Sequence, residues 1–344
     1  MEGALALKDR IVTLAHGGGG RAMRDLIETV FTPVFEPPDM EDQARLMDGA
    51  LQEPGARLAF TTDSFVVTPL EFPGGDIGMI AVCGTVNDLA VGGARPLWLS
   101  AAFIIEEGCE VDLLHRVVAS MQREADAAGV RIVTGDTKVV GRGAADRLFV
   151  TTAGVGVIPP GRDLSAARVR PGDVAIVNGF LGDHGATILA ARGDLALSTD
   201  LKSDCAALGH LMEAVLAVAP GTACARDATR GGLASALNEI AAAAGVGVVV
   251  TEEALPLRDE VRGMCEILGL DPLYLANEGT LVAFVPEAQA DAALAAMRSR
   301  PEGRNAAIVG RAVSAHPGQV RMATSFGGMR VVDMLVGEQL PRIC

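Results

Sequence analysis

The residue with the freest chemistry in this chain is its last. The sequence ends Pro341, Arg342, Ile343, Cys344, and chain ends are where order and contact density are lowest. Gly337 and Pro341 both discourage a helix from running to the end. The expectation is a mobile thiol that accepts a group at one place, carries it to a second where it is altered, and releases it at a third. An exposed cysteine that does no chemistry is the alternative, and the tail alone leaves both open.

Carboxylates form the second reactive set. Residues 58–62 read as a strand that delivers Asp63 and Ser64 at its carboxyl end, where a carboxylate is placed to face a cleft. Residues 76–91 read as a very apolar helix whose strongly polar interior residues are Asn87 and Asp88. Such a buried pair must be hydrogen bonded or bind a metal, because leaving a polar group unsatisfied costs about 1–3 kcal/mol. A satisfied structural network is the other reading; Asp63 and Asp76 in neighbouring segments favour the ligand one. After a strand at 130–134, Gly135, Asp136, Thr137 and Lys138 put a carboxylate, a hydroxyl and an ammonium on one expected short loop, a set suited to magnesium and phosphate oxygens. Asp227 offers one more carboxylate, ahead of Gly231 and Gly232, which let a backbone approach a ligand. His16 precedes four glycines whose N–H groups can face an anion. No Gly-Lys-Ser/Thr follows, so this is not a P-loop; a plain surface loop is the alternative.

These residues need elements to hold them. Strands are expected at 58–62, 96–105, 130–134 and 148–157, with helices at 76–91 and 111–128. Pro159, Pro160 and Gly161, then a charged stretch to Pro171 and Gly172, mark a boundary. Beyond it come strand 174–178, helices 183–192, 203–218 and 232–244, strand 246–251, helix 257–268, strand 280–285 and final strands within 306–332. The expected division is therefore domain 1–158, linker 159–172, domain 173–333 and tail 334–344. His115, His184, His210 and His316 lack ligand spacing and read as structural or surface residues.

Composition narrows the function classes. A chain of 344 residues points to two domains. With 3% aromatics and 41 glycines the core must be built from Ala, Val, Leu and Ile between tight turns. A formal charge of −14 repels nucleic-acid backbones and anionic membranes, so neither is an expected partner. It does not exclude ATP, because carboxylates that hold magnesium reverse the local sign. The 6 cysteines contain no CxxC pair, which argues against a zinc knuckle or a disulfide framework. Residues 1–10 lack a secretory apolar core and the longest apolar run, 240–250, is too short to span a bilayer. A soluble, cytoplasmic protein is expected.

Taken together, the stretches resemble the HypE family, carbamoyl dehydratases that make the cyanide ligands of nickel-iron hydrogenases during maturation. The carriers are HGGGG at 16–20, TTDSFVV at 61–67, FPGGDIG at 72–78, CGTVNDLA at 83–90, GDTKVV at 135–140, TRGGLASALNEIA at 229–241, DPLYLANEG at 271–279 and PRIC at 341–344. Two positions depart from the family's usual pattern: Gly18, where a serine is usual, and Ala228, where a proline is usual.

The resemblance implies an α+β fold of two aminoimidazole ribonucleotide synthetase-like domains. The first is mixed α/β and dimerises through its sheet; the second is an α+β sandwich that ends in a flexible tail. It implies that a HypF carbamoyltransferase loads Cys344, that ATP converts the carbamoyl oxygen to a leaving phosphate, and that the resulting cyano group passes to iron on a HypC–HypD complex. Residue by residue, it implies Mg2+ on Asp63, Asp76, Asp88 and Asp227, with Asn87, Gly135, Asp136, Thr137 and Gly231 around the nucleotide. Lys138 would neutralise the transferring phosphoryl group, Glu278 would take a proton from the carbamoyl nitrogen, and His16 would position the tail or phosphate. Other readings are another ATP-using superfamily member, such as a selenophosphate synthetase or small-molecule kinase, and a nucleotide-binding scaffold without catalysis. Selenophosphate synthetases carry their reactive residue near the amino terminus, where this chain has no cysteine.

Overall fold

The computed structural model describes residues 10–37, 43–193, 199–334 and 343. A 3-10 turn, Leu14–Gly17, leads to α1 (Arg21–Leu26), and a π-helical turn, Ile27–Phe31, joins it to α2 (Thr32–Phe35). Then come β1 (Arg57–Phe65), a small ribbon of β2 (Glu71–Phe72) and β3 (Gly75–Asp76), and α3 (Ile77–Val91). β4 (Arg95–Glu106), α4 (Val111–Ala128), β5 (Arg131–Val140) and β6 (Leu148–Ile158) complete the first unit. The strands form a sheet of order β1-β6-β4-β5 in which only β4 and β5 run parallel. That parallel pair is joined through α4, as a parallel crossover requires. α4 buries Leu114, Val117, Val118, Met121 and Ala125, the helical spacing of one apolar face. α3 is buried on nearly every side, from Ile77 to Val91. It lies between the first sheet and the second unit, which is why its few polar residues must find partners within the protein.

Strand period sorts the side chains of this sheet. Asp63 pairs with Thr152, Thr152 with Ala101, and Ala101 with Gly135. Thr152 is buried against α3, where its hydroxyl meets Thr85, so Asp63 also faces the helices. One residue further, Asp136 pairs with Ala102, and Lys138 pairs with Ile104. Side chains alternate along a strand, so Asp136 and Lys138 point to the opposite, open face. That face also carries Leu58 at 63% and Phe60 at 68% exposure. Residues 135–138 are thus part of β5 and not the expected loop. The Gly-Asp punctuation is overridden because β4, 12 residues long, pairs with β5 as far as Glu106 and Val140.

The second unit has β7 (Val174–Val177), α5 (Asp183–Ala191), α6 (Gly209–Val218), β8 (Cys224–Asp227), α7 (Gly232–Ala244), β9 (Gly247–Thr251) and α8 (Asp259–Leu268). β10 (Leu281–Val285), α9 (Glu287–Arg298), β11 (Ala307–Val313), β12 (Val320–Ala323) and β13 (Met329–Val332) follow. Its sheet, β13-β12-β9-β11-β7-β10-β8, carries α7 on one face and α6 with α9 on the other. The helix expected at 203–218 begins at Gly209. Residues before it spend their polar groups across the molecule: Asn87 Oδ1 accepts from Leu208 N at 2.7 Å, and Asn87 Nδ2 donates to Ala206 O at 3.0 Å. Strand β8, only four residues long, has no expected counterpart. No helix of the described residues is long and apolar enough to cross a membrane.

Candidate active site

Four carboxylates from four segments meet where the two units join. β1 presents Thr61 and Asp63 toward α3, and Thr61 Oγ1 donates to Asp88 Oδ2 at 2.7 Å. Asp227 ends β8, opposite Leu281 of β10, and Glu278 lies three residues ahead of β10. Their electrostatics show that they sense one another. Burial pushes the Asp88 carboxyl up, and Asp63 adds to it. Burial, then Asp88 and Asp63, push Asp227 up to about 6. Burial raises Glu278 well above the usual range, reinforced by Asp204, Asp227 and Asp63. Little positive charge offsets this: Arg230 reaches Asp63 only at 3.9 Å and is 75% exposed, while Arg226 is turned to Glu239 at 3.2 Å. Among the described residues no three His, Cys, Asp or Glu side chains converge in ligand geometry. The donor set of hard, mutually repelling oxygens nevertheless fits a hard divalent cation.

The loop that holds Glu278 is over-determined. Asp204, absent from the sequence reading, accepts from Glu278 N at 3.0 Å, Gly279 N at 3.1 Å and Thr280 Oγ1 at 2.9 Å. A Cβ on Gly279 would meet Asp204 O at 1.8 Å, so only glycine admits this approach. Asn87 adds a bond from Nδ2 to Glu278 O at 3.4 Å. Asn277 Oδ1 accepts from Gly182 N at 2.7 Å and its Nδ2 donates to Ala228 O at 2.8 Å. Ala228 N donates to Thr280 O at 2.8 Å, a bond that proline at this position would remove. Glu278 Oε1 is buried and has no hydrogen-bond partner among the described residues. Gly231, at φ +73, caps α7 with Gly232 at φ +60, where a Cβ would meet Leu273 O at 2.4 Å.

The remaining expected residues divide. Asn87 has both polar ends on backbone and so ties the Glu278 loop to segment 206–208. Asp76 stands apart from the other carboxylates: its Oδ1 caps α3 through Gly78 N at 2.7 Å and Met79 N at 3.0 Å, and also accepts from Ser120. Gly135, Asp136, Thr137 and Lys138 lie three strands from Asp63, about 14 Å at the usual strand spacing. Asp136 and Lys138 pair at 2.9 Å, which holds the Asp136 carboxyl below the usual range. His16, buried in its 3-10 turn, accepts at Nδ1 from Thr13 N at 3.0 Å, and Gly17 beside it packs on Val139 of β5. Ile27 and Phe31, with Phe103 and β5, line a cleft of about 240 Å³ that includes Gly135, Asp136 and Thr137. Cys344 lies outside the described residues. Its neighbour Ile343 is described: its side chain is buried, and its carbonyl accepts from His184 Nε2 at 2.7 Å. Neither His184 nor Asp204 carries a local sequence signal, since their partners lie 159 and 74 residues away.

Residues 41–158 match the N-terminal domain of the AIR synthase related proteins, and residues 170–323 match their C-terminal domain. Carbamoyl dehydratase HypE of Rhodobacter capsulatus is 79% identical over 340 residues, covering 99% of this chain and 100% of that protein. A crystal structure of hydrogenase maturation protein HypE in complex with ATP superposes with a TM-score of 0.91 at 48% identity, covering 96% of this chain and 99% of that one. A crystal structure of a HypE–HypF complex has a chain at TM-score 0.79 and 42% identity, covering 92% of this chain and 100% of that one. With near-identity of this extent over its full length, the chain belongs to the HypE family of carbamoyl dehydratases.

Proposed function

We propose that this chain uses ATP to dehydrate an S-carbamoyl group carried on its own Cys344, giving a thiocyanate for the cyanide ligands of a nickel-iron hydrogenase. The observation that carries the reading is Glu278, a buried carboxyl with a raised proton affinity and an unpartnered oxygen, beside a carboxylate cluster that calls for a cation. In the reaction the carbamoyl oxygen attacks the γ-phosphorus of ATP and ADP leaves. The amide nitrogen then gives up its two protons as the C–O bond breaks, phosphate departs, and a C≡N triple bond remains on sulfur. Glu278 takes one of these protons and the departing phosphate takes the other; burial supplies the basicity that a weakly acidic N–H demands.

Asp63, Asp88 and Asp227 would hold Mg2+, which relieves their repulsion and carries phosphate oxygens. Asp76 is left out of that set because its bonds serve the α3 cap. The open sheet face with Leu58 and Phe60 supports pairing of two copies through the first sheet. In that pairing Lys138, with Asp136 on the same face, serves the site of the adjoining copy, while Gly135, Thr137 and His16 support the strand from its covered face. Within its own copy Lys138 faces away from Asp63. The tail from 334 onward is the arm that carries the thiol, and 1–158 and 173–333 are the domains that it visits. A HypF carbamoyltransferase loads Cys344, as the likeness to a HypF-bound relative supports, and a HypC–HypD complex takes the cyano group. The reaction belongs in the cytoplasm, where ATP is supplied.

The test is intact mass after incubation with carbamoyltransferase, carbamoyl phosphate and ATP, with wild-type and Cys344→Ala protein. The expected result is a gain equal to one carbamoyl group less one water, and no gain in Cys344→Ala. An absent adduct with an active transferase would overturn the reading.

A further inference from the structure

We infer that His184 is a positioning residue that docks the tail by the Ile343 carbonyl, next to the frame that holds the Glu278 loop; the functional meaning of this rests on the reaction proposed above. His184 has no exposed surface. A buried imidazole needs partners for both nitrogens, and both are present. Nε2 meets Ile343 O at 2.7 Å and Nδ1 meets Ser203 Oγ at 2.8 Å. A carbonyl can only accept, so Nε2 carries the proton and Nδ1 accepts from the serine hydroxyl. The ring is fixed from other sides too. It lies edge-on to Phe72, with centroids 5.5 Å apart at 82°, in the first turn of α5.

An apolar side chain would fill this place at lower desolvation cost if packing alone were needed. What the imidazole adds is one donor aimed at the tail, because its other bond is to a serine that orients it. The tail makes a second attachment: Ile343 is 6% exposed and belongs to the apolar cluster that also contains Phe72, Ile188, Cys205 and Ala276. The dock and the base share a frame. Ser203 holds His184, and the next residue, Asp204, holds the backbone of Glu278 and Gly279. Gly185, one residue after His184, donates its N–H to Ala276 O at 3.0 Å. Ile343, the residue before the thiol-bearing one, is thereby tied to the segment that carries the base.

The test uses the full chain and reads tail docking apart from catalysis. Cys83, Cys109, Cys205, Cys224 and Cys265 are buried, so a single adduct formed by iodoacetamide on the native protein, counted by intact mass, reports Cys344. His184→Leu should raise that rate roughly tenfold, the factor carried by loss of one hydrogen bond. His184→Gln keeps a side-chain N–H that can reach the carbonyl and should return most of the protection. Ile343→Ser, a change at the chain end that leaves the fold intact, should raise the rate by a similar factor and serves if His184→Leu does not fold. In single turnover of preloaded S-carbamoyl protein, His184→Leu should slow dehydration about tenfold with the KM for ATP unchanged. Equal alkylation rates in wild type, His184→Leu and Ile343→Ser would overturn the docking role. If the alkylation rates separate as expected but no variant, wild type included, dehydrates the carbamoyl group, docking stands and the proposed reaction falls.

Discussion

The junction at Glu278 and the outer edge at β5 are built from the same residue types, yet they are left in opposite electrostatic states. On β5, Asp136 and Lys138 stand two residues apart on one strand face and neutralise each other, with both side chains more than half exposed. At the junction, Asp63, Asp88, Asp227 and Glu278 arrive from four segments; Asp63 raises the proton affinity of the other three, Asp88 that of Asp227, and Asp227 that of Glu278. The first arrangement is complete by itself. The second is not: among the described residues the offsetting charge comes from Arg226 and Arg230, and it leaves the carboxyls raised. Strand alternation adds a geometric contrast: the junction faces the helices and the second unit, whereas the β5 pair faces outward beside exposed Leu58 and Phe60. One region is a closed ion pair beside exposed apolar residues and the other a set of uncompensated buried carboxyls, and a single copy does not bring them together.

Glu278→Gln separates them most sharply. The substitution keeps the shape and the backbone bonds to Asp204 and Asn87, and removes only the base. Dehydration in single turnover should fall by about 10²–10⁴-fold, the usual range for a general base, while carbamoyl loading and ATP binding stay unchanged. A normal thiocyanate yield would end the role assigned to Glu278. Lys138→Ala should cost on the order of 10²-fold, as loss of one charge-stabilising donor does. Mixing this variant with Asp63→Asn then asks where Lys138 works. If each site draws Lys138 from the adjoining copy, the mixed pair contains one site with both defects and one with none, and about a quarter of wild-type activity should return after subunit exchange. No recovery would mean that Lys138 acts on its own copy, against the direction of its strand face.

The parts of this arrangement that were legible in the sequence are those set by local periodicity. The helix expected at 111–128 is α4, Val111–Ala128, because its apolar positions recur at helical spacing. The helix expected at 232–244 likewise coincides with α7. Asn87 and Asp88 stood out correctly as polar residues that need partners in an apolar helix. Which partner each takes was not legible, because Asn87 bonds to residues more than 100 positions away. The same limit hid Asp204 and His184, whose partners come from other elements. Residues 135–138 misled for a different reason. Glycine and aspartate signal a turn locally, but pairing with a long neighbouring strand fixes them in β5 and so decides which way Lys138 points.

The smallest expected effect tests the charge contrast itself through stability. Asp227 has its folded pKa raised to about 6 from an ordinary value of 3.8. Its favourable contribution is therefore full below about pH 4 and is lost as pH rises through 6, because the unfolded carboxyl ionises first. Asp227→Asn removes that loss. Without divalent cation the variant's advantage over wild type should widen by on the order of 2 kcal/mol between pH 4.5 and pH 8, a few degrees in Tm. Mg2+ should then raise the wild-type Tm and narrow the gap, since a ligand that binds only the folded state stabilises it. Asp136 carries the opposite sign: Lys138 holds its carboxyl below the usual range, so its contribution is present above pH 4 and lost as pH falls. Asp136→Asn should accordingly show no alkaline gain and no change in the Mg2+ response. Parallel melting curves for wild type and Asp227→Asn from pH 4.5 to 8 would mean that the junction carboxylates do not repel, and the case for a cation between them would be lost.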